Sequence, residues 1–532
     1  MRPDQPKYAL DKTDRWIAAG VGLAGLLLYL RTLAPDILFA DSAEFQTLAY
    51  TSGITHSTGY PVYLLVVRAL GLVPVNTFAW RVNAISALFG ALTLAGVYLL
   101  VRQLTTQRLG GLLASAAVGL GYTFWSQAII AEIYTASTLT VTGILLLLWH
   151  WQEDPTRRSR DLFFAAFLVG IGIHTTVEVL TPAIAIFALW VLASRHLERK
   201  EYKEAIMAGI GGAALGAVVF FLAFFIIDQI NTPTSFINVT LIPSRSLWGA
   251  RLSDLDTFPK RVYATVVSLQ WRGALFSGDP VFMWKSLEDY WAWMTGKDFT
   301  LWMLLIGVVG LWQVIRRRVR LGGFLVLAFL VLLFFIANYK GSGKDVFYLV
   351  TYIYLAIFIG AGAGFLLELL WTSLKSIPVG IGSGIYGAAS IILLWLFCAP
   401  FAASRIEALK AGKCTFVDDP YTYPVSDLAR PRQIAEMRLR SVPDNAVLAL
   451  DWQTLYATGY LAVVEQGREN ILLREASPYP SPNRIPDSLL EEIKNDLHSG
   501  RPVYIDHLYD NISGNFDTRM VPGTDLLALS LP

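Results

Sequence analysis

The chain has 532 residues, 54% of them hydrophobic and 16% charged, with a mean hydropathy of +0.49. That charged fraction lies well below the ~25% of a soluble domain, and many apolar runs reach the ~17–25 residues that span a bilayer, which excludes an ordinary soluble protein. The net charge of +2 is distributed by loop rather than pooled, and no nucleic-acid signature is present.

The opening stretch MRPDQPKYALDKTDR is too polar for a cleaved signal peptide and is expected to be a cytoplasmic tail feeding a retained first span. Apolar runs then centre on about 16–34, 82–101, 109–125, 133–151, 161–177, 179–193, 204–227, 300–315, 321–338, 346–371 and 379–400, predicting about eleven spans. With the N-terminus inside, every short basic loop also falls inside, as the positive-inside rule asks. Those loops carry Arg102 and Arg108; Arg157, Arg158 and Arg160; Arg195, Arg199, Lys200 and Lys203; Arg316, Arg317, Arg318 and Arg320; and Lys375. The odd count puts the C-terminus outside, in what is expected to be a plasma membrane. The predicted fold class is a polytopic α-helical membrane domain over 1–403, with outer loops 35–80 and 228–300. A small extracytoplasmic α/β domain is predicted over 404–532.

The first outer loop, PDILFADSAEFQTLAYTSGITHSTGYPVYLLVVR, carries Asp41, Glu44 and His56 among Gly, Pro and Tyr residues. Asp41, Glu44, Phe45 and Leu48 stand at i, i+3, i+4 and i+7, so a helix here presents them on one face, suited to lying at the membrane surface. The same spacing reads equally well as a capping box, with Asp41 as N-cap and Glu44 at the third position. Gly53 and Gly59 allow sharp turns, and Tyr60-Pro61 reads as an extended residue followed by a proline at a helix start.

Three further outer hairpins hold polar groups that are expensive at membrane depth, ~2.5–3.5 kcal/mol for each charge. They contain Trp125, Gln127, Glu132 and Tyr134; His174 and Glu178; and Lys340, Lys344 and Asp345. Any one of them reads as readily as a solvated turn, but their shared side predicts a single outward-facing cavity. Glu368, near the inner end of its span, is expected to snorkel or pair. The loop 228–300 is rich in tryptophan, which suits an interfacial belt, and in bases. Arg245, Arg251 and Lys260 lie on the side that positive charge should avoid, and such a cluster suits a lipid phosphate.

In the tail, Ala446–Leu450, Ile471–Leu473 and Pro502–Ile505 read as strands and Asp487–Leu497 as a helix. Cys398 and Cys414 lack metal-ligand spacing, and the sequence leaves open whether they pair. There is no internal repeat.

ADSAEFQTLAYTSGITHSTGYPVYLL resembles a membrane-family signature of the form Asp-Ser-Gly-Glu followed by His-Pro-Pro-Gly-Tyr-Pro. WSQAIIAEIY looks like that family's second block, and VPDNAVLALDWQTLYATGYL like a soluble-tail block of bacterial members. The family includes the eukaryotic transmembrane O-mannosyltransferase acting on plexin-type receptor domains and is similar to the wider GT-C glycosyltransferases, which use polyprenyl-phosphate sugars. The resemblance implies a GT-C-like fold, with Asp41 as catalytic base and Glu44 as the second acid of its motif. His56, Gly59, Tyr60 and Pro61 supply the second element. It also implies mannose as the sugar and a protein Ser or Thr hydroxyl as acceptor, a lipid or glycan acceptor remaining open. Ala43 stands where the family has Gly, and Ser57-Thr58 where it has Pro-Pro.

A sugar phosphate carries a good leaving group, so one base suffices where a glycosidase needs two carboxyls. The remaining task is to hold the departing phosphate, for which Arg245, Arg251, Lys260, Lys340 and Lys344 are the candidates. His56, Tyr60, Trp125, Gln127, Glu132, Tyr134 and His174 are expected to line the substrate site. Direct displacement inverts the anomeric centre. No cofactor is expected; a divalent metal on Asp41 and Glu44 is conceivable, but no other ligand is identifiable. The rival class is a transporter or lipid flippase, against which stand the lack of repeated halves and the large outer tail. A receptor reading leaves the acidic first loop without purpose.

Overall fold

The computed structural model describes residues 10–532 except 157, 196, 342, 418 and 477–482; the start of the expected cytoplasmic tail and Arg157 lie outside the described residues. Helix α1 (Lys12–Arg31) opens with a reciprocal capping box between Asp11 and Asp14 and packs along α4 (Phe78–Arg102). Between them lie two shorter helices of the first outer loop, α2 (Ala40–Thr51) and α3 (Pro61–Leu70). The bundle continues through α5 (Arg108–Gly119), α6 (Tyr122–Ala128), α7 (Tyr134–Glu153), α8 (Ser159–Gly170), α9 (Thr175–Glu178), α10 (Thr181–Ala193) and α11 (Arg199–Ile230). After the long outer segment, which holds α12 (Phe258–Val266) and α13 (Pro280–Trp293), come α14 (Leu301–Arg317) and α15 (Val319–Ala337). The membrane part ends with α16 (Lys344–Phe347), α17 (Leu349–Leu374) and α18 (Val379–Ala411).

Among the described residues, six helices are long and apolar enough to cross a membrane, or seven if the bent pair of 280–298 and 301–317 counts as one. Two of the eleven expected apolar runs are interrupted. The run 109–125 breaks at Leu120-Gly121, where Asp298 reaches in to accept from the Thr123 N–H and hydroxyl, both at 2.7 Å. The run 161–177 breaks between α8 and α9, where Gly172 takes a left-handed φ of +59° that a β-carbon would strain. Both breaks expose backbone polar groups, which is tolerated at depth only where protein or a cavity supplies partners.

The basic loops converge at one end of the bundle. Arg102 and Arg108 both hold the buried Asp14 carboxylate, Arg195 donates to the Gln152 carbonyl, and Arg318 lies over the Trp149 ring. Glu368 is paired there with Arg317 at 3.1 Å.

The last long helix passes the expected end of its span and runs to Ala411, stopped by Gly412 in a left-handed conformation. Beyond it, α19 (Arg430–Leu439) precedes a five-stranded sheet of order β2-β1-β3-β5-β4. Its strands are β1 (Val447–Leu450), β2 (Leu472–Glu475), β3 (Val503–Ile505), β4 (Asp517–Met520) and β5 (Leu527–Ser530). β1 is parallel to both β2 and β3, while β5 runs antiparallel to β3 and β4. The α/β character and the first three strands match the periodicity of the tail; α20 (Trp452–Gly459) and α21 (Asp487–His498) fill the crossovers. Cys398 and Cys414 are unpaired thiols.

This sheet does not hang free. α20 packs directly on α2, with Thr47 donating to the Tyr456 carbonyl and the Ala79 N–H donating to the Tyr460 hydroxyl. Arg432 of α19 grips Asp36 with two hydrogen bonds and Glu465 with two more.

Candidate active site

The α2 helix differs from both sequence-based readings. Its N-cap is Phe39, without any side-chain cap bond, so Asp41 is the second helical residue and not the cap. Its carboxylate still suits the first turn, where the helix dipole favours negative charge. Nor does α2 lie on a surface: residues 42–49 are all buried, because α3, α4 and α20 cover it on several sides. Asp41 alone is half-exposed between the buried stretches.

With no cap to serve, Glu44 turns to His56. The His56 N–H donates to Glu44 Oε1 at 2.8 Å, and Nδ1 meets Oε2 at 2.5 Å, the carboxylate itself being fully buried. Burial alone would lower the His56 pKa, but the charges of Glu44 and Asp41, with the hydrogen bond to Glu44, outweigh it and raise it to about 10. His56 is therefore a cation at neutral pH, held beside Asp41.

The turn after His56 uses Gly59 at φ +88°, where a β-carbon would also meet Thr265 at 2.9 Å. Tyr60 is left-handed rather than extended as its position before proline predicted; its hydroxyl donates to the Ser57 carbonyl at 2.8 Å and its ring stacks on His174. Pro61 does occupy the first turn of α3.

His174 caps α9, its Nδ1 accepting from the Thr176 N–H, and burial followed by the charge of His56 pushes its pKa down to about 3. The two histidines thus differ in state, His56 charged and His174 neutral. Tyr134 closes on His174 and Phe347 edge-on. Glu132 is buried next to Ser42, 3.4 Å away; burial, then the charge of Asp41, pushes its carboxyl well above the ordinary range, so it is held protonated.

Beside this cluster opens a cavity of about 110 Å³ lined by Ser57, Thr58, Tyr60, Glu178, Trp271 and Tyr339, among others. The hydroxyls of Ser57 and Thr58 are buried there without protein partners among the described residues. Lys340 and Lys344 are near the lining residues Tyr339 and Phe347 in sequence but do not themselves line the cavity. Lys344 donates to Ser286 at 2.8 Å and lies over the Phe282 ring, and Lys340 is 3.7 Å from Asp279.

The structure does not bring the other expected cations here. Arg245 is spent on Glu492, at 2.9 Å, and Glu491, fastening α21 of the C-terminal domain to the outer loop. Lys260 pairs locally with Asp256, and Arg251 is exposed on a turn before Leu252; neither lines the cavity. Trp125 is likewise core rather than substrate surface: it is fully buried, donates to Thr32 at 2.9 Å and packs edge-on to Tyr29. Gln127 is buried on the same short helix, its Oε1 without a partner among the described residues.

Two site residues come from the tail and were not singled out in the sequence. The Trp452 indole N–H donates to Asp41 Oδ1 at 2.7 Å, and its ring stands edge-on to both His56 and Phe236. Glu475, at the end of β2, is buried with Oε2 unpartnered among the described residues. Burial raises its pKa to about 7, with the charges of Glu44 and Asp41 adding to the shift. The sequence signal for Trp452 was its place in an aromatic repeat, Trp452, Tyr456 and Tyr460 at i, i+4 and i+8, on one helical face.

Residues 41–201 match the family model described as the protein O-mannosyl-transferase TMEM260 N-terminal domain. The chain is 30% identical over 178 residues to protein O-mannosyl-transferase TMEM260 of Mus musculus, covering 33% of this chain and 25% of that protein. It is 24% identical over 183 residues to the tmem260 protein of Dictyostelium discoideum, covering 31% of this chain and 22% of that one. The matched stretch thus spans about a quarter of the length of these curated relatives. The matched family segment holds Asp41, Glu44, His56, Glu132 and His174, whereas Trp452 and Glu475 lie beyond it. In three dimensions the chain resembles ArnT from Cupriavidus metallidurans in its crystal structure bound to undecaprenyl phosphate. The TM-score is 0.54 at 11% identity, over 97% of each chain. The apo form of the same protein gives 0.53 at 12% identity over 98% of each. The fold is GT-C-like, as the motifs of the first outer loop implied, with the small α/β domain at its end.

Proposed function

We propose that this chain is a membrane glycosyltransferase that moves a sugar, mannose, from a polyprenyl-phosphate donor to a protein Ser or Thr hydroxyl with inversion, Asp41 acting as general base. The observation that carries this reading is the asymmetry of Asp41. One carboxylate oxygen is engaged by a fixed donor, the other has no protein partner among the described residues, and the nearby Glu44 and Glu132 are disarmed. Glu44 is bound through both oxygens to His56 and Glu132 is held protonated, which leaves Asp41 as the one first-loop carboxylate available to take a proton. The likeness to proteins named O-mannosyl-transferases and to a GT-C protein crystallised with undecaprenyl phosphate supports the choice of sugar and carrier.

In the reaction so read, the acceptor hydroxyl gives its proton to Asp41 Oδ2 as its oxygen attacks the anomeric carbon, and the bond to the donor phosphate breaks on the opposite face. Lys340, next in sequence to the lining Tyr339, and Lys344, three residues before the lining Phe347, are assigned to the departing phosphate. The His56 cation beside Asp41 offsets the negative charge gathered in the pocket. No step calls on a metal.

Purified protein in detergent, supplied with undecaprenyl-phosphate mannose and cell protein, should consume the donor and add hexose to protein, read by mass spectrometry. Asp41→Asn should lower turnover by at least ~10²-fold, the lower range for losing a general base. Because Phe39 and not Asp41 caps α2, the variant should melt with the wild type. A normally folded, fully active Asp41→Asn protein would remove Asp41 from the mechanism, and a wild type inert toward the donor would sink the reading.

A further inference from the structure

The aromatic residues of α20, with Tyr460 just after it, reach the membrane domain at three points. Trp452 donates to Asp41, the Tyr456 hydroxyl donates to the Thr234 carbonyl, and the Tyr460 hydroxyl accepts from the Ala79 N–H. The helix that carries them is held unusually firmly at its first turn. Asp451 caps it by accepting from the Thr454 N–H at 3.0 Å, and the Asp451 N–H donates to Asp506. Arg438, 2% exposed, donates to Thr454 at 2.7 Å, to Asp506 and to Asp525. Asp451, Asp506 and His507 bring their ligand atoms within 4.8 Å of one another, but Arg438 already answers the charge of this cluster. Its evident work is to anchor the residue next in sequence, Trp452.

We propose that the C-terminal domain is a working part of the reaction site, with Trp452 a positioning residue that fixes the Asp41 carboxylate through its indole N–H. The inference rests on Asp41 being the base. With Oδ1 held at 2.7 Å, the carboxylate cannot rotate freely and Oδ2 is aimed at the acceptor. The edge-on rings of His56, Phe236 and Tyr456 lock the indole itself in orientation. A carboxylate on α2 without that bond would sample orientations in which its open oxygen misses the hydroxyl, and a misplacement of about 1 Å can cost ~10²-fold in rate.

The test replaces Trp452 in the full-length protein with β-(3-benzothienyl)alanine, which keeps the ring's shape and puts sulfur where the N–H was; Trp452→Phe is the second variant. Transfer from undecaprenyl-phosphate mannose to cell protein is measured in detergent. Both variants should lose ~10–10²-fold in kcat with the donor KM changed less than about threefold, and should keep the wild-type melting temperature. Placed in the Asp41→Asn background, the same replacement should change the residual rate by less than about twofold, since the two residues act as one unit. Wild-type kcat in the benzothienyl variant, or losses that multiply with Asp41→Asn, would overturn the role given to Trp452 while leaving the glycosyltransferase reading in place. A wild type that consumes no donor overturns that reading instead, and the present inference with it.

Discussion

His56 shows how one side chain's state is written by its neighbours. Its pKa, raised from about 6.5 to about 10, means that the folded protein binds its proton more tightly than the unfolded chain does. That preference stabilises the fold fully below about pH 6.5 and is lost as pH rises through about 10. Thermal unfolding of the detergent-solubilised protein should therefore show a decline over that window that is shallower in His56→Gln. Equal slopes in the two proteins would mean that Glu44 does not hold a charged imidazole. At the same scale Asp41 corrects the capping reading. Spacing alone makes Asp41 and Glu44 a capping box, but the helix starts two residues too early, at Ala40, and a cap needs non-helical backbone.

At the scale of elements, the outer loop 228–300 was expected to supply donor cations, and its Arg245 turned out to clasp the C-terminal domain. Its side chain is 13% exposed and Glu492 23%, so the pair lies between a surface bridge and a buried one. Breaking it should cost roughly 1–3 kcal/mol. Arg245→Glu should lower the melting temperature and speed proteolytic release of the tail, and adding Glu492→Arg should recover most of both. Failure of the second change to rescue the first would show that the loop and α21 are held by other contacts, such as Ser246 with Ser488. The short helices α2 and α20 are the elements that matter most to the site, and neither has a strong periodic signal. α2 is buried nearly all round, and α20 spans only eight residues.

For the whole molecule, the clustering of Arg102, Arg108, Arg195 and Arg318 at one end and of Asp41, His56 and the tail at the other makes a single topology. With the basic end cytoplasmic, a reporter active only in the cytoplasm and fused after Pro532 should stay silent. A strong signal there would reverse or recount the spans.

Hydropathy and loop charge, by themselves, determined that this is a multi-pass helical protein with an α/β tail, because burial in lipid and the positive-inside rule act on composition. The loop motif determined Asp41, Glu44 and His56 as a group, because they lie within sixteen residues and one turn brings them together. Only the tertiary structure decided which acid is free, since that depends on the hydrogen bonds of His56 and Trp452. Only it showed that Arg245 is bound to the tail, since a cation's partner can sit some 250 residues away. Trp452 is the plainest case: 411 residues from Asp41 in sequence, it reaches the carboxylate because β1 ends and α20 begins where the tail docks on α2. Local pattern carries no information about that docking; packing does.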